Sequence, residues 1–236
     1  MMTAMKSKLC AALILAFATS LPATAQQNVV PVIDGPAYLF NYVEVVPSAA
    51  AQAVTALKQY RDAARKEPGA IQIDLYQEKG QTQRFVVEEI WQNRSIAQEH
   101  GKSAASTALA RTLTPIELGP LDVRVHQIHM ATSPKAPNPN DVILISHVDV
   151  AGNNTLNLIR ELNALWDATR NENGMVRYEI LDEVPLHSNH FRIVEEWTNP
   201  AVWEAHDRAP QSQAYRDAIL KMLGTPYDQR LYSVVN

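Results

Sequence analysis

The amino-acid sequence predicts an α+β fold in which one βαββαβ unit occurs twice. The first observation is that the segment FRIVEEWTNPAVWEAH at 191–206 repeats the segment FVVEEIWQNRSIAQEH at 85–100. Four residue types recur at a separation of 106 residues: Phe85 and Phe191, Glu89 and Glu195, Trp91 and Trp197, His100 and His206. The second observation is that strand and helix patterns follow in the same order around both segments. A fixed internal period of this kind indicates a duplicated structural unit.

The first module is predicted at residues 37–132. Four of its segments alternate apolar and polar residues as strands do: 38–46, 70–77, 84–91 and 122–131. A helix is expected from Pro47 to Arg65, and the Gly69 that follows it is a stop signal. A second helix is expected to begin at Asn93 and to fray towards Gly119 and Pro120. The order is that of the ferredoxin-like split βαβ pattern.

A proline-rich linker at 133–141 separates this module from a second one at 142–236. Its strands are predicted at 142–150, 175–183, 190–197 and 228–235. Its helices are expected to begin at Asn153 and at Pro200, the latter continuing to Met222. Because two helices cover only one face of each sheet, we expect the two bare sheet faces to pack together as an intrachain pseudo-dimer, that is, a dimeric α+β barrel in one chain.

Residues 1–25 have the pattern of a secretory signal peptide. Lys6 and Lys8 precede an apolar stretch, and small residues stand at 23–25, where cleavage is expected. Cleavage would remove Cys10, the only cysteine, and would change the formal net charge from −4 to −6. We therefore expect secretion to the periplasm, no disulfide, no affinity for nucleic acid and no membrane anchor after cleavage. Residues 26–36 are expected to be an extended leader.

The repeated glutamates and histidines are the candidate functional groups. Side chains alternate along a strand, so Glu89 shares a face with Phe85 and Trp91, and Glu195 is placed in the same way. A carboxylate among large apolar groups must be paired, or its pKa rises. It either has a structural role or transfers protons. His100 and His206 are expected on the helix face towards the sheet, either as core groups or as bases over a pocket.

The strand motif F-x-x-x-E-x-W, with a histidine nine residues after the tryptophan on a helix, resembles the antibiotic biosynthesis monooxygenase family of the dimeric α+β barrel superfamily. The resemblance covers nearly the whole chain after residue 25, as two tandem modules. It implies a pocket between sheet and helices in each module. It also implies that O₂ oxidises a quinol, an anthrone or a similar electron-rich phenol without a metal or organic cofactor, with a base and polar groups holding the substrate anion.

The resemblance implies two sets of site residues. The candidate catalytic residues are His100, His206, Asn41, Trp91 and Trp197. The candidate substrate-binding residues are Tyr76, Tyr178, His147, Glu89 and Glu195, with Ser146 as an alternative to His147. Asn41 on the first strand corresponds to Ser146 in the second module, so the two pockets need not be equivalent.

Other readings are less well supported by the residues. Haem-degrading members of the family place a tryptophan and a haem-ligating histidine on the second helix, where this chain has His100 and His206 and then Ala110 and Arg216. The pairs His126-x-x-His129 and His187-x-x-His190 lack nearby ligands in sequence, so no metal is expected. The alternative function is a non-catalytic small-ligand-binding protein on the same fold. A further homodimer is also compatible with the sequence.

Overall fold

The computed structural model describes residues 34–184 and 189–236, so the predicted signal peptide and most of the leader lie outside the described residues. The strands are β1 Ala37–Glu44, β2 Ala70–Glu78, β3 Arg84–Trp91, β4 Asp122–Ala131, β5 Val142–Asp149, β6 Met175–Glu183, β7 His190–Trp197 and β8 Asp228–Val234. The α-helices are α1 Ala50–Ala64, α2 Arg94–His100, α3 Ala104–Leu113, α4 Thr155–Thr169, α5 Pro200–Asp207 and α6 Pro210–Ile219. Within these ranges, no helix has the length and hydropathy needed to cross a membrane.

The eight strands form one closed antiparallel barrel in the order β1-β3-β2-β8-β5-β7-β6-β4. Each module contributes four adjacent strands, and the modules join where β2 pairs with β8 and where β4 pairs with β6. The two sheets therefore face each other as opposite walls of a barrel, which confirms the predicted pseudo-dimer. Closure pairs the strand edges that each module would otherwise expose.

Alternation of side chains along the strands produces three apolar cores. One core lies inside the barrel, where the two sheets meet, and includes Tyr38, Phe40, Ile143 and Ile145. The other two lie between each sheet and its helices. The first of these is built around Leu57, Phe85 and Trp91, and the second around Leu162, Phe191 and Trp197. The helices are thus outside the barrel, and the repeated motif faces them.

Charged residues interrupt the core inside the barrel. The buried Arg177 side chain donates to Glu88 Oε2 at 2.6 Å, and its Nε lies 3.8 Å from Glu196 and 4.0 Å from Glu179. Burial raises the pKa of Glu179 to about 7 and that of Glu196 to about 8, against the opposing effect of Arg177. A single guanidinium does not offset the burial of these carboxyl groups, so Glu179 and Glu196 hold their protons to a higher pH than an exposed glutamate does.

The prediction of one long second helix in each module was wrong. In the first module the helix ends at His100, and a new one begins after Ser103, whose Oγ accepts the backbone N–H of Ser106 at 3.2 Å. In the second module α5 ends before Pro210, which has no N–H and restricts the residue before it. His100 is consequently the last residue of its helix, and His206 is the next to last in α5.

Two glycines bring the helices α2 and α5 close to the hairpins. Gly69 and Gly174 have φ values of +83° and +82°, a conformation that favours glycine. A Cβ at Gly69 would lie 2.8 Å from Ile96, and one at Gly174 would lie 2.7 Å from Val202. Gly69 and Gly174 thus allow the helix that carries each repeated histidine to pack tightly against the sheet.

Candidate functional site

The site of the first module is organised around the buried carboxylate of Glu89 on β3. Asn41 Nδ2 and the Tyr60 hydroxyl donate to Oε1 at 2.6 and 2.5 Å, and Trp91 Nε1 donates to Oε2 at 2.8 Å. Burial raises the pKa of Glu89, while these donors and His100 oppose the rise. Because β1 runs beside β3, and α1 covers both strands, groups distant in sequence meet at one carboxylate.

His100 is held by contacts on three sides. Its Nε2 lies 2.6 Å from the Tyr60 hydroxyl oxygen, and its Nδ1 lies 2.7 Å from Glu67 Oε2. The imidazole stacks on Trp91 with ring centroids 4.3 Å apart and 27° between the planes. The ring is therefore fixed in orientation, with its nitrogens in a hydrogen-bonded chain that runs from Glu67 through Tyr60 to Glu89.

This chain contains one proton that can lie at either of two places. Burial and the charge of Glu89 raise the pKa of the Tyr60 hydroxyl, so this group keeps its proton. It can donate that proton to only one of its two neighbours at a time. If that proton goes to Glu89, both nitrogens of His100 must donate, and the imidazole is positively charged. If it goes to His100, the Glu89 carboxyl must carry a proton and donate it to Tyr60. The geometry therefore suits proton transfer between Glu89 and His100 through Tyr60.

The hydrogen-bonded chain of Glu89, Tyr60 and His100 borders a cavity of about 320 Å³ between the sheet and helix α3. Asn41, Tyr60, Glu89 and His100 line its polar end, and the apolar walls include Leu39, Ala97, Leu109 and Leu113. Leu121 and Val123 also line it, and their side chains are 39% and 47% exposed, so the apolar lining continues to the protein surface. A volume near 300 Å³ with a few convergent polar groups suits a small aromatic ligand.

The second module repeats only half of this arrangement. Trp197 Nε1 donates to Glu195 Oε2 at 3.0 Å, and His206 stacks on Trp197 with a centroid distance of 4.5 Å. His206 Nδ1 lies 3.1 Å from Glu172, the counterpart of Glu67. Leu165 and Ser146, however, stand where the first module has Tyr60 and Asn41. The hydrogen-bonded link between histidine and glutamate through a tyrosine is therefore confined to the first module.

Larger side chains also occupy the positions that line the first-module cavity. The replacements, from first to second module, are Ala97 by Trp203, Leu109 by Tyr215, Ala110 by Arg216 and Leu121 by Tyr227. Tyr215 is buried in the second helix-side core, and Trp203 and Tyr227 pack against it there. The space that forms the first-module cavity is thus taken up by aromatic side chains in the second.

The structure brings together part of the predicted site. Asn41, Glu89, Trp91 and His100 meet in the first module. Glu195, Trp197 and His206 meet in the second, where the Tyr178 ring centroid lies 6.2 Å from that of His206.

Tyr76 and His147, which were expected beside the substrate, face the inside of the barrel instead. The Tyr76 hydroxyl donates to Glu88 at 3.0 Å, and His147 lines a separate cavity. Side chains alternate between the two faces of a strand, and Tyr76 and His147 each fall on the face that points away from the helices and the site.

Sequence reasoning missed Tyr60 and Glu67. Tyr60 falls on the apolar face of the predicted first helix, and the helical spacing that places it there carries no information about its hydroxyl. Glu67 has a repeat counterpart in Glu172, so the 105-residue offset that relates Gly69 to Gly174 could have identified it.

Within the described ranges, one group of residues has ligand atoms close enough for a metal ion. The side chains of His147, Glu183 and His190 have such atoms within 4.8 Å of one another. This group combines strands β5, β6 and β7. It includes His190 of the pair His187-x-x-His190, whose other member, His187, lies outside the described residues. His126 is buried inside the barrel, whereas His129 contacts Asn163 on α4 at 3.0 Å, so these two side chains project to opposite faces of the strand.

Comparisons with known proteins agree with this architecture. A candidate monooxygenase of Fusobacterium nucleatum has a similar structure, with a TM-score of 0.77 and 16% identity over 87% of this chain and 94% of that chain. An anthrone oxidase-like protein has a TM-score of 0.69 and 13% identity over 87% and 95% of the two chains. A candidate monooxygenase of Lactobacillus acidophilus gives 0.67 and 13% over 86% and 95%. At these identities the likeness is one of fold.

No curated protein sequence matches the chain. The family model described as antibiotic biosynthesis monooxygenase, in contrast, matches residues 36–112 and again residues 142–218, which together make up more than half of the chain. The two matches fall on the two halves of the barrel, and each includes the strand glutamate, the tryptophan and the histidine of its repeat. The chain therefore belongs to the antibiotic biosynthesis monooxygenase family, with two tandem modules of that family in one barrel.

Proposed function

We propose that this protein is an exported, cofactor-independent monooxygenase that oxidises a small quinol or phenolic substrate with O₂ in its first module. The observation that carries the proposal is the first-module cavity, where an apolar chamber ends at the chain of Glu89, Tyr60 and His100. A phenol fits such a chamber because its ring requires apolar walls and its hydroxyl requires a proton acceptor.

The reaction begins with loss of the phenolic proton to the polar end of the cavity. In the arrangement in which Glu89 is ionised and both His100 nitrogens donate, Glu89 can accept this proton while His100 releases its Nδ1 proton to Glu67, whose side chain is 25% exposed. The resulting substrate anion is electron-rich and reduces O₂ directly. One oxygen atom enters the substrate, and the other leaves as water with two hydrogens that the substrate loses. The substrate supplies all four electrons that O₂ takes up, as when a phenol and O₂ give a quinone and water, so the balance requires no further reductant.

Asn41 and the buried surroundings of the site stabilise the substrate anion. The Asn41 amide lines the cavity and donates to Glu89, so it can also face a substrate oxygen beside that carboxylate. Trp91 fixes Glu89 and His100 through a hydrogen bond and a ring stack. Exclusion of water by the apolar walls strengthens these interactions.

The second module has a structural role in this proposal. Its cavity position is filled, and it lacks the tyrosine that links histidine to glutamate. It completes the barrel through the pairing of β2 with β8 and of β4 with β6. One active module in each chain follows from this asymmetry.

Oxygen-electrode measurements on the purified protein with a panel of quinols, anthrones and phenols test the proposal. We expect substrate-dependent O₂ uptake that needs no added metal, flavin or haem, and loss of that uptake in the Glu89→Gln variant. Uptake that requires an added cofactor would refute the cofactor-independent mechanism. Saturable binding of a panel member without any O₂ uptake would instead identify a non-catalytic binding protein.

A further inference from the structure

A second cavity lies inside one end of the barrel, separate from the first-module site. It has a volume of about 160 Å³, and its lining includes Arg124, Arg192, Arg230, Tyr42, His147 and Tyr232. Tyr42 and Asn41 are neighbours on β1, and their side chains point to opposite faces of the strand. The wall of the barrel therefore separates this cavity from the polar end of the helix-side site.

Arg192 is the unusual member of the lining because it is only 3% exposed. Its Nη1 donates to the Tyr42 hydroxyl at 2.6 Å, and its Nε lies 3.4 Å from His126 Nε2. Within residues 34–184 and 189–236, its Nη2 has no hydrogen-bond partner and no carboxylate lies within salt-bridge distance. A buried guanidinium without a counter-ion is costly, and it provides donors for an anion.

Two further arginines flank Arg192 from equivalent positions in the two modules. Arg124 on β4 and Arg230 on β8 are separated by the 106-residue repeat. Each is oriented by an aspartate two residues earlier: Arg124 Nε lies 3.0 Å from Asp122, and Arg230 Nη2 lies 2.8 Å from Asp228. The lining thus has three arginines and two aspartates, and Arg230 Nη1 also lies 3.4 Å from Glu78. Arg192 is therefore the arginine of this lining that has no carboxylate partner among the described residues.

The arginines also affect the neighbouring histidine. Burial is the main cause that lowers the pKa of His147 to about 3; Arg192, Arg124 and His190 contribute to this shift, and Asp228 opposes it. A potential that disfavours a proton on His147 also disfavours a dication held by His147, Glu183 and His190. The charge of the cavity consequently favours an anion over a metal ion.

We propose that this end of the barrel binds a small oxyanion, a carboxylate or a phosphate, through Arg192 with Arg124 and Arg230 around it. Arg192 Nη2 supplies the free donor, and the planar guanidinium groups match the oxygens of a carboxylate or phosphate. The cavity volume admits one phosphate ion or a small aromatic carboxylate. The site is distinct from the proposed oxidation site and does not depend on it.

Isothermal titration calorimetry of the purified protein tests this inference, with sodium phosphate and sodium benzoate as separate ligands at constant ionic strength. We expect saturable binding of at least one of them and a concentration-dependent rise in melting temperature. Tighter binding of phosphate would identify an inorganic or ester phosphate as the ligand class, and tighter binding of benzoate a carboxylate.

Arg192→Gln is expected to weaken that binding at least tenfold, whereas the control Arg208→Gln, at an exposed position directly after α5, leaves it unchanged. Should Arg192→Gln fail to fold, Arg124→Gln provides a second test, with an expected weakening of several fold. Absence of saturable binding of both anions to the wild-type protein would overturn the inference. Equal affinity in folded Arg192→Gln, or saturable Zn²⁺ binding in place of anion binding, would also overturn it.

Discussion

The hydroxyl group of Tyr60 lies 2.5 Å from Oε1 of Glu89, so a side chain of α1 completes the surroundings of a carboxylate on β3. The same hydroxyl lies 2.6 Å from His100 Nε2. In the second module Leu165 takes the place of Tyr60, so the position that supplies the linking hydroxyl in the first module has no hydroxyl in the second. Two modules with the same repeated motif thus differ in the group that connects its glutamate to its histidine.

Tyr60→Phe should therefore separate proton transfer from packing. Removal of the hydroxyl breaks the connection between His100 and Glu89, and we expect turnover to fall about a hundredfold, the usual scale for losing acid–base catalysis. Glu89 loses one buried donor, so the free energy of unfolding should fall by about 1–3 kcal/mol. Oxygen uptake and thermal melting measure the two effects. Tyr178→Phe, beside His206, is the control, and undiminished turnover in folded Tyr60→Phe would contradict the relay.

His100→Ala and His206→Ala form a matched pair for the two modules. Both substitutions remove an imidazole stacked on a tryptophan and paired with a glutamate, so we expect similar losses of melting temperature. Only His100→Ala should lower turnover by about a hundredfold or more, because His206 adjoins a filled site. Full turnover in folded His100→Ala would exclude a role of His100 in proton transfer and direct attention to Asn41 and Glu89.

Ala97→Trp should close the first-module cavity by introducing the side chain found at 203 in the second module. Ala97 lines the cavity, so an indole ring there would occupy the space proposed for the substrate. We expect substrate binding to be lost in calorimetry, while circular dichroism shows an intact fold. Ala110→Ser, a small change in the same lining, is the control. Unaltered affinity in Ala97→Trp would place the substrate elsewhere.

Stability should fall as the pH rises from about 5 to 8 because of the buried carboxyl groups near Arg177. Burial raises the pKa of Glu196 to about 8, above its ordinary value of 4.5, so the folded state binds more protons than the unfolded state in this window. Its contribution is present below the ordinary value and is lost as the pH passes the raised value. In Glu196→Gln the melting temperature should decline less steeply over this range, and Glu204→Gln on exposed α5 should retain the wild-type slope.

Gly174→Ala should be more destabilising than Gly80→Ala although the two residues have the same φ of +82°. At Gly80 a Cβ meets nothing within 4 Å, so only the left-handed conformation costs free energy, about 1–2 kcal/mol. At Gly174 the Cβ would also lie 2.7 Å from Val202 and force α5 to shift. Denaturant unfolding of both variants measures the difference, and equal losses would show that α5 moves freely.

The sequence by itself determined the duplication, the strands and the fold family. Strands β3 at 84–91, β6 at 175–183 and β7 at 190–197 have the predicted boundaries because the alternation of apolar residues along a strand is a local signal. The face on which Glu89 and Trp91 lie also follows from a two-residue period. The break between α5 and α6 was missed although Pro210 marks it, since apolar spacing continues across it.

Only the tertiary structure decided what these residues touch. Tyr60, Glu89 and His100 meet because β3, α1 and α2 pack together, and no local pattern encodes the direction of a hydroxyl group. The replacement of Ala97 by Trp203 is visible in the sequence, but its effect depends on a cavity that exists only between packed elements. Closure of the barrel places Arg192 of β7 against Tyr42 and His126 of the other module, and within the described residues it has no carboxylate partner. Local periodicity determines the secondary structure and the face of each helix or strand on which a side chain lies. Contacts between residues distant in sequence depend on packing of the whole chain.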